Sequence, residues 1–210
     1  MARTRSPAHD DQRELILARA AALFARQGYP ATTMNEVAAA CEVSKATLYH
    51  YVRDKHALLA QIALGHVQRL QSLTEAPVPR DTPPEQRLRQ LIERFVEAYA
   101  DAQDEHRVLT EDMKFLREQD RALVRAGQRR VFEAFAQAVA AARPRGAKDR
   151  LEKPLAMLLF GMINWTYTWM RPEGPLTHAA LAPVVADLFL GGIDAVRLPV
   201  RTRRRAEARA

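Results

Sequence analysis

Two short helical segments joined by a tight turn, within residues 33–55, constrain the fold of this 210-residue chain more than any other stretch. Four small or apolar residues in it can seal one segment against the other: Val37, Ala38, Val43 and Leu48. The polar residues between and after them point outward. This pattern is typical of a helix-turn-helix, whose second helix enters the major groove of DNA.

Capping residues set the limits of these two helices. Thr33 with Glu36 three residues later forms a T-x-x-E capping box, which predicts that a helix begins here. The Thr33 hydroxyl and the nearby N–H groups at this helix N-terminus also suit a phosphate. Ser44 is a good N-cap for the second helix, with sequence KATLYHY.

The rest of the chain has helical periodicity as well. An amphipathic stretch over residues 11–27 ends at Gly28, and a long helix begins after Asp54. The proline-rich segment 77–84 separates this helix from a second helical region. We therefore expect an all-α fold of about nine helices, with a disordered N-terminus (1–10), a three-helix DNA-binding domain (11–56), a C-terminal helical bundle (57–198) and a basic disordered tail (199–210).

Charge and composition limit the class of protein. The net charge of +7 comes mostly from residues 197–210, which hold six basic residues and one acidic residue. This end is either solvated or adds nonspecific attraction to phosphates. No run of 18 apolar residues and no export signal are visible, so we expect no membrane partner. The single cysteine, Cys41, fits a reducing cytoplasm.

Catalytic motifs are missing from the sequence. No serine nucleophile motif is present, and Gly127 and Gly146 belong to no phosphate-binding loop. Glu111 and Asp112 lack a further metal ligand at useful spacing, so an exposed acidic patch explains this pair better than a catalytic dyad. We expect neither enzymatic activity nor a metal or other cofactor.

The N-terminal quarter resembles the TetR/AcrR family of bacterial transcriptional regulators. The resemblance rests on FARQGYPATTMNEVA, VSKATLYHY and DKHALL, within about residues 12–60. It implies base contacts from the second helix of the motif and phosphate contacts around it. The expected DNA-binding residues are Thr33, Ser44, Lys45, Ala46, Thr47, Tyr49, His50 and Lys55. Lysine can donate to guanine, alanine can touch a thymine methyl, and hydroxyls can reach the backbone.

Two positions depart from the family pattern. Glu42 stands in the turn where such regulators usually have glycine, and Val52 stands where phenylalanine is common. If the backbone at Glu42 is left-handed, a residue other than glycine costs about 1 kcal/mol there. Neither change removes an expected DNA contact.

The last two long helices have features of a self-association surface. Gly161 and the pair Gly191–Gly192 lower helix propensity, which is easiest to explain if two helices approach closely. In the family these helices form a four-helix dimer interface, so the resemblance implies a homodimer. The expected interface residues are Gly161, Trp165, Leu188, Gly191 and Gly192. A dimer would place two recognition helices about 34–36 Å apart on an inverted-repeat operator of double-stranded DNA.

Residues 105–180 resemble more narrowly the acyl-CoA-responsive, FadR- and PaaR-like members of the family. This resemblance implies an acyl pocket among the middle helices, with basic residues near it for the coenzyme phosphates. The expected ligand-binding residues are Arg121, Arg125, Arg129, Asn164 and Thr168. The arginines recur every four residues, and a solvated basic face of a helix explains this spacing equally well. Four residues could either line the pocket or pack in the dimer core: Asn164, Trp165, Thr168 and Trp169.

The sequence therefore favours a homodimeric repressor that releases a palindromic operator when it binds a small effector, expected to be an acyl-CoA thioester. Two alternatives stay open. One is a TetR-type regulator of an efflux pump that responds to apolar drugs. The other is a helical-bundle enzyme or carrier with an appended DNA-binding domain.

Overall fold

The computed structural model describes residues 7–143, 150–171 and 174–196. Within them the chain forms ten α-helices and no strand. They are α1 (Pro7–Gln27), α2 (Met34–Ala40), α3 (Lys45–Tyr51), α4 (Lys55–Glu75), α5 (Pro84–Ala98), α6 (Gln103–Glu111), α7 (Glu118–Ala142), α8 (Glu152–Asn164), α9 (Thr166–Trp169) and α10 (His178–Ile193). A single 3₁₀ turn, Met113–Phe115, lies between α6 and α7. The expected all-α class is confirmed.

Helix α1 begins at Pro7 rather than at residue 11. Proline suits the first position of a helix, because a backbone N–H at that position has no partner within the helix. The negative charge of Asp10 in the first turn is stabilised by the positive end of the helix dipole. The expectation of a disordered N-terminus is thus wrong for residues 7–10. Residues 1–6 and the expected basic tail, 199–210, lie outside the described residues.

The first three helices pack with the N-terminal half of α4 around one apolar cluster. Its centre holds Ile16 and Phe24 of α1, Val37 of α2 and Leu48 of α3, all almost completely buried. Val52, the residue that departs from the family pattern, is buried in the same cluster. The short helices α2 and α3 are therefore held by side-chain packing, since seven residues are too few for a stable isolated helix.

A second apolar cluster joins α5, α7, α8 and α10. Phe95 and Phe135 meet edge to face at its centre, with ring centroids 4.7 Å apart. Helix α4 belongs to both clusters, because Leu58 lies in the first and Leu70 in the second. One rigid helix thus runs from the helix-turn-helix to the C-terminal bundle.

The long apolar stretch 149–170 divides into two helices. The helical hydrogen-bonding pattern is interrupted at Trp165, so α8 ends at Asn164 and the short α9 follows. No helix among the described residues is both long and apolar enough to cross a bilayer.

Candidate nucleic-acid interface and internal cavity

Helix α3 presents a polar face to solvent. Its N-cap, Ser44, accepts a hydrogen bond at Oγ from the backbone N–H of Thr47 at 3.0 Å, as the sequence predicts. Leu48 is completely buried and fixes the opposite face against the first cluster. The exposed face carries four of the expected DNA-binding residues, Lys45, Ala46, Tyr49 and His50. The fold therefore brings these side chains together on one accessible surface.

The turn between α2 and α3 has a left-handed residue. Glu42 has φ 55°, the conformation that favours glycine. Its N–H donates to the carbonyl of Ala39, and the N–H of Val43 donates to the carbonyl of Ala38, both at 3.1 Å. Because these bonds close the turn, the unfavourable backbone conformation persists. Compared with glycine, glutamate at this position lowers the stability of the fold but leaves the turn intact.

Thr33 is engaged in its own capping box. Its hydroxyl donates to the Glu36 carboxylate at 2.8 Å and accepts from the Glu36 N–H at 3.2 Å. The Thr33 N–H donates to the same carboxylate and lowers the pKa of Glu36. The predicted capping box is confirmed. A phosphate at this N-terminus would have to share its donors with a carboxylate.

Lys55 is used inside the protein, so its expected phosphate contact needs correction. Its Nζ donates to the carbonyls of Tyr29 at 2.9 Å, Pro30 at 3.2 Å and Thr32 at 2.8 Å. These bonds use the three protons of the ammonium group. Lys55 thus fastens the turn after α1 to the start of α4. Local sequence patterns gave no sign of this, because the carbonyls lie 23 to 26 residues earlier.

A cavity of about 360 Å³ lies in the C-terminal bundle, between α4, α6, α7, α8 and Tyr99 at the end of α5. Most of its wall is apolar, with Leu70, Leu109 and Phe160 among the lining residues. Three expected ligand-binding residues line it as well: Arg125, Arg129 and Asn164. Among the described side chains, the cavity combines apolar walls with a few polar groups, as small-molecule sites do.

Two expected ligand-binding residues do not line this cavity. Arg121 pairs with Glu118, three residues before it on α7. The Thr168 hydroxyl donates to the carbonyl of Trp165 at 2.7 Å and stays exposed. The spacing of four residues predicts that Arg121 lies on the same face of α7 as Arg125. It does not show where along α7 the cavity ends.

The buried end of the cavity wall contains residues that the periodicity did not single out. Tyr99 donates to Oδ1 of Asn164 at 2.8 Å and stacks on the His106 ring, with centroids 4.2 Å apart. Behind His106, the Nε2 of His66 lies 3.3 Å from its Nδ1. Burial, followed by the charge of the other imidazole, lowers the pKa of His66 to about 3.

His106 is held neutral in the same way. Burial lowers its pKa to about 4, and the Asn164 backbone opposes this effect only in part. Burial also raises the pKa of Tyr99 far above its usual range. At neutral pH the buried end of the cavity is therefore polar but uncharged, and the charged groups of the wall are Arg125 and Arg129 on the exposed side of α7.

A broad apolar surface lies outside the cavity, on α8, α9 and α10. Trp165 and Leu188 are 63% and 68% exposed, although large apolar side chains are normally buried. Other exposed apolar side chains surround them: Leu158, Trp169 and Val184. Gly161, Gly191 and Gly192 are exposed too, and no described atom lies within 4 Å of the position of an added Cβ. All five expected interface residues thus lie on accessible surface of these helices.

Two family models match the chain over these same two regions. Residues 16–62 match the bacterial regulatory proteins of the tetR family. Residues 81–193 match the tetracyclin repressor-like C-terminal domain. The chain belongs to the TetR family of bacterial transcriptional regulators. The helix-turn-helix is thus the DNA-binding unit of a transcriptional regulator.

Individual relatives agree with this assignment. A TetR-family transcriptional regulator from Bordetella parapertussis is 38% identical, with a TM-score of 0.74 over 85% of this chain and 93% of that one. The structure of AibR in complex with isovaleryl coenzyme A and operator DNA is 26% identical, with a TM-score of 0.73 over 84% and 97% of the two chains. The transcriptional activator FasR of Mycolicibacterium smegmatis is 24% identical over 90% of this chain and 86% of its own.

Proposed function

We propose that this TetR-family regulator is a homodimeric repressor that releases an inverted-repeat operator when an acyl-CoA thioester occupies its cavity. The observation that carries the proposal is the cavity itself, with an apolar wall next to Arg125 and Arg129. A volume of about 360 Å³ suits a short acyl chain, and the exposed arginines suit the coenzyme phosphates outside it. The similarity to AibR, whose complex contains isovaleryl coenzyme A and operator DNA, supports this ligand class.

The exposed apolar surface on α8 and α10 supports the dimer. Leu158 and Gly161 on α8 and Trp165 immediately after it recur at helical spacing, and Leu188 and Gly191 do so on α10. A second copy packed on this surface would bury the apolar side chains, and the glycines would let helices approach closely. A twofold dimer of this kind presents two copies of α3 to successive major grooves.

For DNA recognition, we propose that Lys45, Ala46 and Tyr49 read bases while Ser44, Thr47 and His50 contact phosphates. The support is the common exposure of the α3 face, opposite the buried Leu48. Ligand releases the operator only to the extent that it binds the DNA-free geometry more tightly. Helix α4 joins the cavity wall at Val67 and Leu70 to the DNA-binding unit, so we propose that its position differs between the two states.

The test uses an operator selected from a random-sequence DNA pool by the purified protein. Operator affinity is measured by fluorescence anisotropy at fixed salt, with isovaleryl-CoA, longer acyl-CoA esters, free coenzyme A and the free acids. We expect the thioesters alone to weaken binding at least tenfold. The double variant Arg125→Ala/Arg129→Ala should lose this response while it keeps operator affinity. An operator affinity that no thioester changes would contradict the proposed ligand class.

The second candidate function is an efflux-pump regulator that responds to apolar drugs. It is favoured by the apolar majority of the cavity wall, including Phe132, Met157 and Phe160. Release of the operator by neutral apolar drugs, with no response to coenzyme A esters in the same assay, would select this function instead.

A further inference from the structure

The Tyr99 hydroxyl fixes the side-chain amide of Asn164 in one orientation. Tyr99 is 2% exposed, and among the described residues its hydroxyl proton meets one acceptor, Oδ1 of Asn164 at 2.8 Å. Burial raises the pKa of Tyr99 far above its usual range, so this proton is present at neutral pH. If the amide were turned around, the buried proton would face an NH₂ group and lose its acceptor, which is costly. The amide therefore keeps its oxygen toward Tyr99.

The amide nitrogen of Asn164 is left without a partner. Its Nδ2 forms no hydrogen bond with any described residue, so both of its protons are available to a ligand. The outer nitrogens of His66 and His106 also lack partners, but they have almost no accessible surface. Nδ2 of Asn164 is not among these enclosed atoms, because Asn164 is half-buried and lines the cavity. The cavity wall thus offers an accessible, oriented N–H donor.

The surroundings of this amide limit what it can bind. Burial holds the pKa of His66 and His106 far below neutral pH, so neither imidazole is charged there. The charged groups of the wall, Arg125 and Arg129, lie on the exposed side of α7. An anionic group at the amide would lose its hydration without gaining an opposite charge. A hydrocarbon chain would cover the N–H protons without offering an acceptor. An uncharged acceptor oxygen avoids both losses.

We propose that Asn164 is a specificity-determining residue whose Nδ2 donates to an uncharged carbonyl oxygen of the ligand, and that Tyr99 is the positioning residue that holds the amide. The proposal rests on the proposed function in taking this cavity as the ligand site. Two carbonyls of an acyl thioester can supply the oxygen: the thioester carbonyl itself and an oxo group further along the acyl chain. A ligand that places neither at Asn164 leaves the amide protons unpaired.

Two matched pairs of ligands isolate the carbonyl oxygen in the experiment. In the first pair, S-isovaleryl-N-acetylcysteamine is compared with S-(3-methylbutyl)-N-acetylcysteamine, a thioether in which a CH₂ replaces the carbonyl. In the second, the 4-oxopentanoyl thioester of the same thiol is compared with its 4-methylpentanoyl thioester. Calorimetric titration of the full chain should give about tenfold tighter binding of the first-named ligand in at least one pair. The pair that has this ratio identifies the carbonyl that is bound.

Variants of Asn164 show whether this residue causes the preference. Asn164→Asp keeps the size of the side chain and an oxygen that accepts from Tyr99, but a second oxygen replaces the NH₂ group. Asn164→Leu removes both polar groups. In each variant the ratio should fall below about twofold, because no donor is left for the carbonyl. The other ligand of the pair should still bind with its affinity changed less than about threefold, since it makes no bond to the amide.

Two further variants test the positioning role and provide the control. In Tyr99→Phe the amide is free to turn, so the ratio should fall to about threefold although Asn164 is present. Thr110→Val changes another polar group of the cavity wall and should keep the full ratio, because the Thr110 hydroxyl already donates its proton to the His106 carbonyl at 2.9 Å. Circular dichroism melting curves verify that each variant is folded, and Asn164→Ala replaces an Asn164 variant that is not.

The outcomes for the two proposals differ. Ratios near one for both pairs in the natural protein, or a ratio that survives in the folded Asn164 variants, would overturn the role of Asn164, and so would failure of all four ligands to bind. A full ratio in Tyr99→Phe would overturn the role of Tyr99. If the ratio depends on Asn164 but acyl-CoA esters leave operator affinity unchanged, the proposed function fails while the role of Asn164 stands, because none of the four ligands carries the coenzyme phosphates.

Discussion

The Asp54 carboxylate caps α4 and also accepts a hydrogen bond from the Arg117 guanidinium at 3.2 Å. It accepts from the backbone N–H of Ala57 at 2.7 Å, and that bond is the main reason why the pKa of Asp54 is lowered. Arg117 immediately precedes α7, so this carboxylate connects the DNA-binding unit to the C-terminal bundle. Close to it, the rings of Tyr29 and Phe115 stack across the same boundary with centroids 5.3 Å apart.

The two partners of this ion pair should differ in their effect on stability. Asp54→Ala removes the N-cap and should lower the free energy of unfolding by about 1 kcal/mol. Arg117→Ala removes only an exposed ion pair and should cost well below about 1 kcal/mol. Chemical denaturation at fixed protein concentration measures both. Equal losses would show that the interdomain contact, rather than the cap, dominates.

Helices α4 and α7 approach closely at Gly127. A Cβ added there would lie 2.3 Å from Cγ1 of Val67, inside any permitted contact distance. Gly127→Ala should therefore destabilise the protein by about 1–3 kcal/mol through overpacking. The matched control is Gly65→Ala on α4, where no described atom lies within 4 Å of the added carbon. That change should raise stability by up to about 1 kcal/mol through helix propensity.

Replacement of Glu42 by glycine should stabilise the helix-turn-helix. The left-handed backbone at this residue, φ 55°, is accessible to glycine without a steric penalty. We expect Glu42→Gly to raise the free energy of unfolding by up to about 1 kcal/mol. Glu42→Ala keeps a Cβ and should bring no such gain, so a gain of the same size in both variants would point to the lost charge instead.

The exposed face of α3 provides the test of DNA recognition. Lys45→Ala and Tyr49→Ala should each abolish mobility shifts of the selected operator, because each removes a proposed contact. The dimer measured by analytical ultracentrifugation should be unchanged, since both side chains are exposed. Lys55→Ala should behave differently: it should lower the melting temperature, because Lys55 binds three carbonyls inside the protein. Dissociation of the dimer by Lys45→Ala or Tyr49→Ala would identify core residues mistaken for contacts.

The buried imidazole pair should make stability depend on pH. The pKa of His66 is about 3 and that of His106 about 4 in the folded state, against 6.5 in the unfolded chain. The unfolded state therefore binds more protons in mildly acidic solution, and the free energy of unfolding should fall as the pH falls. Each imidazole should contribute a loss of about 1 kcal/mol between pH 7 and pH 5.5.

Variants of the pair identify the source of this dependence. Denaturation curves of His66→Gln and His106→Gln, recorded over the same pH range, should have a shallower dependence than the natural protein. Removal of an exposed imidazole by His50→Gln should leave the dependence intact. A slope that all three variants share would assign the effect to other titrating groups, such as the buried His178, whose pKa burial lowers.

Features encoded within a few neighbouring residues were determined by the sequence itself. The capping box of Thr33 and Glu36 and the N-caps at Ser44 and Asp54 are each formed with a group three residues away, so composition and spacing suffice to predict them. Together with the apolar periodicity, these local features specify the helix-turn-helix and place the exposed face of α3.

Only the tertiary structure decided which polar side chains face the cavity and which are used inside the protein. His66 and His106 are 40 residues apart, and Tyr99 and Asn164 are 65 residues apart, so no periodicity connects them. Lys55 lies on the expected DNA-binding side, yet carbonyls of the preceding turn occupy its ammonium group. Packing of helices distant in the chain sets such contacts, because each helix face is amphipathic on its own but acquires particular neighbours only when the bundle assembles.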